Sequence, residues 1–361
     1  MKAWTSPLTG KQPTTVKNRW LGLRCIPAVP GLGRQWFFRV IFGPRSAVCS
    51  GSFFWEICLR AQSAQATDST RPRNVTAPLS LCSADLRCDI VPALGGAIAG
   101  LWFGDVAVLR STPGPALASV RDAGSYPLVP FSNRMGQATL QWSGTSHPLV
   151  RNFSPEPHAI HGVGWQRPWQ VLEADAQFAL LSFQHRPDAG WPFAFDCSQA
   201  FRISTNALSL TLSVTNQSRE AAPFGIGWHP YFVKRASSHL RFDATGRWEM
   251  GPDKLPTRRH GSPGLDTSCA ALDVDHCFDG WHGVADLRDG LLHTRIGSSL
   301  TRLVVFTNPS RDFVALEPVS HVNNAVNLVR TDPALDLGLQ ILRPGESMTA
   351  QMRIEVAAAP R

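Results

Sequence analysis

The segment ALSLTLSVTN, residues 207–216, alternates apolar and polar side chains without a fault from Leu208 to Thr215. Successive side chains of an extended chain leave on opposite faces, so Leu208, Leu210, Leu212 and Val214 share one face and Ser209, Thr211, Ser213 and Thr215 the other. A strand with one apolar face needs a second layer to cover it. The pattern recurs in AQMRIEV (350–356), where Met352, Ile354 and Val356 line up, and RLVVFT (302–307) and FVALEP (313–318) are further β-rich runs bounded by turn residues. No segment offers several capped turns of 3.6-residue apolar periodicity, and glycine and proline punctuate the chain throughout. The expected fold is therefore all-β, a large antiparallel β-sandwich, with residues 74–361 as one domain.

Residues 1–73 read differently. Of the chain's 35 basic and 27 acidic side chains, nine basic and one acidic (Glu56) fall in residues 1–60, which leaves 26 of each in the rest. The formal charge of +8 thus belongs to a basic extension, in which little stable structure is expected, and the body has no polyanion-binding balance. No nucleic-acid partner is expected. Nor is a membrane anchor, because no uninterrupted stretch approaches the ~20 apolar residues of a spanning helix. Basic residues, an apolar run at 46–59 and the small-residue stretch AQSAQA at 61–66 stand in the order of a secretory signal, which would send the protein to the periplasm. Against export, the run contains Glu56 and lies far from Met1. The eight cysteines form no C-x-x-C pair and no compact Cys/His cluster, so they read as free thiols of a reducing cytoplasm, with no structural metal.

Five stretches are dense in polar and aromatic residues: YPLVPFSNRMG (126–136), HGVGWQRPW (161–169), GIGWHPYF (225–232), LDVDHCFDGW (272–281) and ALEPVSHVNNAVN (315–327). Loops between strands are where such residues can face a ligand instead of their own core. Glu317 is notable in ending an apolar strand just before Pro318, which biases it towards extended backbone. In this order and at these separations the stretches resemble the aldose 1-epimerase (galactose mutarotase) family over roughly residues 78–357, most closely its bacterial members with the HGxGWQRPW form. The extension has no counterpart in the resemblance.

The resemblance implies a mutarotase-like supersandwich that holds a sugar and interconverts α and β anomers of aldohexoses such as glucose and galactose, with no cofactor and no metal, as a monomer or homodimer. By position, Glu317 matches the catalytic base and His229 the catalytic acid. His161 matches a second active-site histidine on the ring-oxygen side, and Asn133, Arg134 and Asp275 match groups that hold sugar hydroxyls. Trp165 and Trp228 are candidates for stacking on apolar sugar faces. These residue types suit the chemistry: a carboxylate ionised at neutral pH can take the anomeric proton, and an imidazole with a pKa near ~6.5 can give one to the ring oxygen. Activity is then expected to follow a bell across about pH 5 to 8. Val163, Val322 and Asn324 depart from the usual family pattern without removing an acid or base. Two alternatives remain at the sequence level: a hexose-6-phosphate 1-epimerase, with Arg151, Arg167 or Arg186 binding phosphate, and a non-catalytic carbohydrate-binding sandwich.

Overall fold

The computed structural model describes residues 77–329 and 336–360, together with Val40–Phe42 and Arg45–Ala47. Those last two segments pair as a short antiparallel hairpin in a unit spanning residues 1–70; the remainder of the expectation for the extension lies outside the described residues. The second unit, residues 71–361, is built of antiparallel strands. No helix of the described residues is long and apolar enough to cross a membrane.

The alternating segments form strands at the places their patterns mark. Ala207–Asn216 lies beside Ser347–Ala358 with Leu208 opposite Ile354, Leu210 opposite Met352 and Leu212 opposite Ala350. Leu208, Leu210, Leu212 and Val214 are all buried, each contributing roughly 1.5–3 kcal/mol through apolar burial, while the intervening serines and threonines stay partly exposed. Both strands belong to a nine-stranded sheet. Its order is Gln170–Ala174, Phe178–His185, Phe195–Ser204, Ala207–Asn216, Ser347–Ala358, Leu292–Ser298, Val284–Arg288, His239–Asp243 and Gly264–Ser268.

An eight-stranded sheet runs Pro256–Gly261, Gly246–Met250, Val274–Asp279, Arg302–Thr307, Phe313–Val319, Gly227–Trp228 and Pro127–Leu128, with Tyr231–Val233 also paired to Phe313–Val319. Phe278, Leu303, Val305, Val314 and Leu316 pack in one apolar cluster with Leu210, Leu212, Met352 and Ile354 of the larger sheet. That contact makes the sandwich. Cys277, Val304 and Val319 face the other way and join a second cluster with Tyr126, Trp165 and Trp248. Phe313–Val319 is consequently buried on both faces along its whole length. Within the described residues, Cys82, Cys88, Cys197, Cys269 and Cys277 are unpaired.

Candidate active site

Glu317 lies inside the strand Phe313–Val319, as its apolar approach marks, and Asp275 also lies inside a strand, not in a loop. Register explains how they meet the rest. Gly227 pairs with Val319 and Tyr231 with Ala315, so His229, midway between Gly227 and Tyr231, falls opposite Glu317. On the other side of the same segment Trp228 pairs with Pro127, and the His229 amide donates to the Tyr126 carbonyl at 3.0 Å. Opposite residues share a face of a sheet. The strands thereby set Tyr126, His229, Glu317, Val304 and Cys277 in one row, and Tyr231, Ala315, Phe306 and Asp275 in the next. Pro230 interrupts the pairing between the two short strands, and Gly227 allows the approach: a Cβ there would stand 2.5 Å from the Pro318 carbonyl oxygen.

In the first row His229 Nε2 lies 3.1 Å from Glu317 Oε1, with the two side chains 8% and 3% exposed. His229 Nδ1 and Glu317 Oε2 are buried and have no hydrogen-bond partner among the described residues. Orphaned buried polar atoms are costly, and their occurrence on two facing ionisable groups marks a site shaped for something besides stability.

A second arm carries Asn133, Arg134 and His161. Arg134–Met135 pairs with Ala159–Ile160, and Asn133 (φ 55°) and His161 (φ 60°) follow or precede those strands in the left-handed region. Both residue types are over-represented in that region, where any non-glycine residue carries some strain. The reward is a fixed ring: the Asn133 amide donates to His161 Nδ1 at 3.0 Å, so the neutral imidazole keeps its proton on Nε2. Burial, aided by the Arg134 charge, pushes the His161 pKa down to about 3, and the residue acts as a neutral hydrogen-bond donor. Arg134 is itself gripped by Glu156, whose oxygens accept from Nε at 3.3 Å and from Nη2 at 2.8 Å. Lys254 Nζ stands 3.5 Å from Asp275.

Electrostatics corrects the reference values from which the roles were argued. Burial and the Asp275 charge raise the Glu317 carboxyl well above its usual range, with Arg134 opposing. Burial, with His161 and Arg110 adding to it, holds the His229 imidazole well below the ordinary histidine range. In the empty site the proton shared by the pair therefore belongs on the carboxyl, and both groups are neutral.

The stacking expectation for Trp165 and Trp228 is also corrected. Each is 1% exposed and spends its indole N–H internally, Trp165 on the Ile160 carbonyl at 3.2 Å and Trp228 on Gln199 Oε1 at 2.9 Å. They back the wall of the site. Trp165 instead stacks on Tyr126, with ring centroids 5.3 Å apart. Tyr126 and Tyr231 are the two tyrosines of the chain and both stand beside His229; they sat inside quoted motifs, and their scarcity was the signal that could have singled them out. Nothing in the sequence pointed to Arg110, whose guanidinium lies 4.0 Å above the Tyr231 ring. Of the suggested phosphate-binding arginines, Arg167 is tied to Asp188 at 2.7 Å and to His185 at 3.0 Å. It lines a cavity of about 240 Å³ with Asn152, Gln166 and Asp188 that includes neither Glu317 nor His229.

Residues 79–355 match the family described as aldose 1-epimerase. The uncharacterized Escherichia coli K12 protein YphB is 29% identical over 285 residues, covering 73% of this chain and 93% of its own. Among solved structures, an aldose 1-epimerase-like protein of E. coli K12 superposes with a TM-score of 0.70 at 28% identity, over 78% of this chain and 99% of that one. A galactose mutarotase-like protein of Clostridium acetobutylicum shares the fold at a TM-score of 0.68 and 19% identity, over 78% and 95%. With the antiparallel sandwich and the Glu317–His229–His161 constellation in place, and with a family match over most of its length, the chain belongs to the aldose 1-epimerase family.

Proposed function

We propose that the protein is an isomerase that opens the cyclic hemiacetal of an aldohexose and recloses it on either face, interconverting the α and β anomers. The observation that carries this reading is the 3.1 Å approach of His229 Nε2 to Glu317 Oε1, a buried acid and base opposite one another on one sheet. Ring opening needs one proton taken from the anomeric O1 hydroxyl and one given to the ring oxygen. Glu317 takes the first and His229 gives the second, the ring C–O bond breaks and C1 becomes an aldehyde. Rotation about C1–C2 presents the other face; the ring hydroxyl then returns its proton to His229, and Glu317 returns its own to O1. His161 donates from Nε2 towards the ring-oxygen side, while Asn133, Arg134 and Asp275 hold sugar hydroxyls and fix the geometry.

Proton counting links the electrostatics to this cycle. With the ring closed, Glu317 is ionised and His229 protonated; with the ring open, Glu317 holds the proton and His229 is neutral. Burial favours the second distribution in the empty site, and so favours the open chain relative to either ring. Activity requires that the pair hold one proton. It is lost in acid as His229 gains a second, below the ordinary histidine range, and in alkali as Glu317 gives up the last, above the ordinary carboxylate range. The cations acting on the pair are Arg110 and Arg134, the latter already paired with Glu156, which favours an uncharged sugar over a hexose phosphate. We place the reaction in the cytoplasm, in keeping with the unpaired thiols.

Polarimetry on freshly dissolved α-glucose and α-galactose tests the reading, with wild type beside Glu317→Gln. Acceleration by wild type that disappears in the variant is the expected result. A folded wild type that accelerates neither sugar nor their 6-phosphates would overturn it in favour of a sugar-binding sandwich.

A further inference from the structure

His229 Nε2 has a second neighbour. The Tyr231 hydroxyl lies 3.4 Å from it, and the Tyr126 hydroxyl lies 3.0 Å from that of Tyr231. The rings are held as firmly as the hydroxyls. Tyr231 stacks on the His229 imidazole at 4.3 Å and 26°, Tyr126 tilts against it at 5.0 Å, and Trp165 closes the stack behind Tyr126. The Arg110 guanidinium covers the outer face of Tyr231, with Nε and Nη2 donating to the Ala123 and Arg121 carbonyls. Burial pushes the Tyr231 phenol up to about 12, so it keeps its proton throughout the working range.

From this arrangement we infer that Tyr231, backed by Tyr126, is a positioning residue whose hydroxyl donates to the His229 Nε2 lone pair that ring opening exposes. When Glu317 turns to the anomeric oxygen of a bound sugar, its contact with Nε2 is given up, and the phenol is the next donor within reach. Contacts of this kind are commonly long in an empty site and tighten during the reaction. Tyr126 fixes the direction of donation: its hydroxyl donates to the Tyr231 oxygen, leaving the Tyr231 proton for the imidazole. The neutral ring is thus held in place while C1 turns, and reclosure can occur from either face.

The groups facing His229 are Glu317 from the adjacent strand, Tyr231 along its own segment, Tyr126 from the strand on the other side, His161 at a ring separation of 5.1 Å, and Arg110 through its charge; Arg134 and Asp275 act on His161 and Glu317. Of these, the two phenols can be deleted one oxygen at a time with the rings kept. A donor to the lone pair stabilises neutral imidazole, so its removal raises the affinity of His229 for a proton.

The test compares wild type, Tyr231→Phe, Tyr126→Phe and the double variant, by mutarotation kinetics and by ¹⁵N NMR titration of histidine-labelled protein, with His229→Gln supplying the assignment. Tyr231→Phe is expected to lower kcat about tenfold with KM within about twofold, and to move both the acid limb of the rate profile and the His229 titration upward by the same amount. Tyr126→Phe is expected to do the same to a smaller extent, and it serves should Tyr231→Phe not fold. An unmoved His229 titration overturns the inference, whether kcat is unchanged or falls, because a packing role alone would slow the enzyme without altering that titration. The kinetic arm rests on the proposed epimerase reaction; the NMR arm does not. Wild type inert on sugars with His229 shifted in Tyr231→Phe would sink the reaction and keep the hydrogen bond.

Discussion

Replacing Glu317 by glutamine should sharply lower catalysis and, above mid-acid pH, stabilise the protein. The side chain is buried, its Oε2 has no partner among the described residues, and its pKa is raised, whereas the imidazole facing it has a lowered one. Between pH 4.5 and 6.5 the native pair of wild type holds one proton, on the carboxyl. The unfolded chain also holds one, on the imidazole, so the pair contributes no slope there. Above 6.5 the unfolded chain has lost that proton and the native carboxyl keeps its own, so stability falls by about 1.4 kcal/mol per pH unit until the native carboxyl ionises.

In Glu317→Gln only the histidine remains. Its lowered pKa has burial, His161 and Arg110 as causes, none of them removed by the substitution. The contribution of His229 to stability is present above 6.5 and lost as pH falls through its native value, so the variant gains stability up to pH 6.5 and is flat beyond. The difference between variant and wild type therefore widens by about 1.4 kcal/mol per pH unit from 4.5 upward until the native carboxyl ionises, which for a domain of this size is about 2 °C in Tm per unit. Thermal melts of both proteins at half-unit steps from pH 5 to pH 8 read it directly. Parallel Tm curves would refute the protonation states argued for the pair. The same variant should lose about 10²–10⁴-fold in activity as a general base is removed.

His161→Ala should cost about 1–3 kcal/mol in a denaturant titration, because it strands the Asn133 amide, and should lower kcat/KM with it. Glu156→Ala frees the Arg134 guanidinium from a two-point grip, so KM should rise several-fold while kcat holds within about twofold; an unchanged KM in steady-state kinetics would mean that Arg134 does not touch the sugar. A chain beginning at residue 73 should keep the wild-type kcat, since the family match starts at residue 79. A folded truncation without activity would show that the extension takes part.

Alternation told which residues share a face, and over residues 208–215 and 350–356 the structure follows it. What alternation leaves unstated is the partner of each strand. A period of two is satisfied in any even register, and the opposition of His229 and Glu317 depends on pairing between segments almost ninety residues apart. The motif resemblance carried Glu317, His229, His161, Asn133, Arg134 and Asp275 because their side-chain chemistry stands in the sequence. Trp165 and Trp228 were misplaced because an indole beside a histidine reads the same whether it lines a cleft or backs one. Arg110 and Glu156 stayed hidden because long-range folding alone brings them to Tyr231 and Arg134.

The row that runs from Tyr126 through His229 to Glu317 also bears on how the protein acquires its activity. Its members come from three distant parts of the chain, and a ribosome must release residue 317 before the row can exist. Contacts of such long sequence separation form late and slowly, because loop closure must be paid before any of them is rewarded. Regain of the proposed turnover in a refolding experiment should accordingly trail the appearance of β-structure and coincide with the final step, making that reaction a clock for completion of the fold.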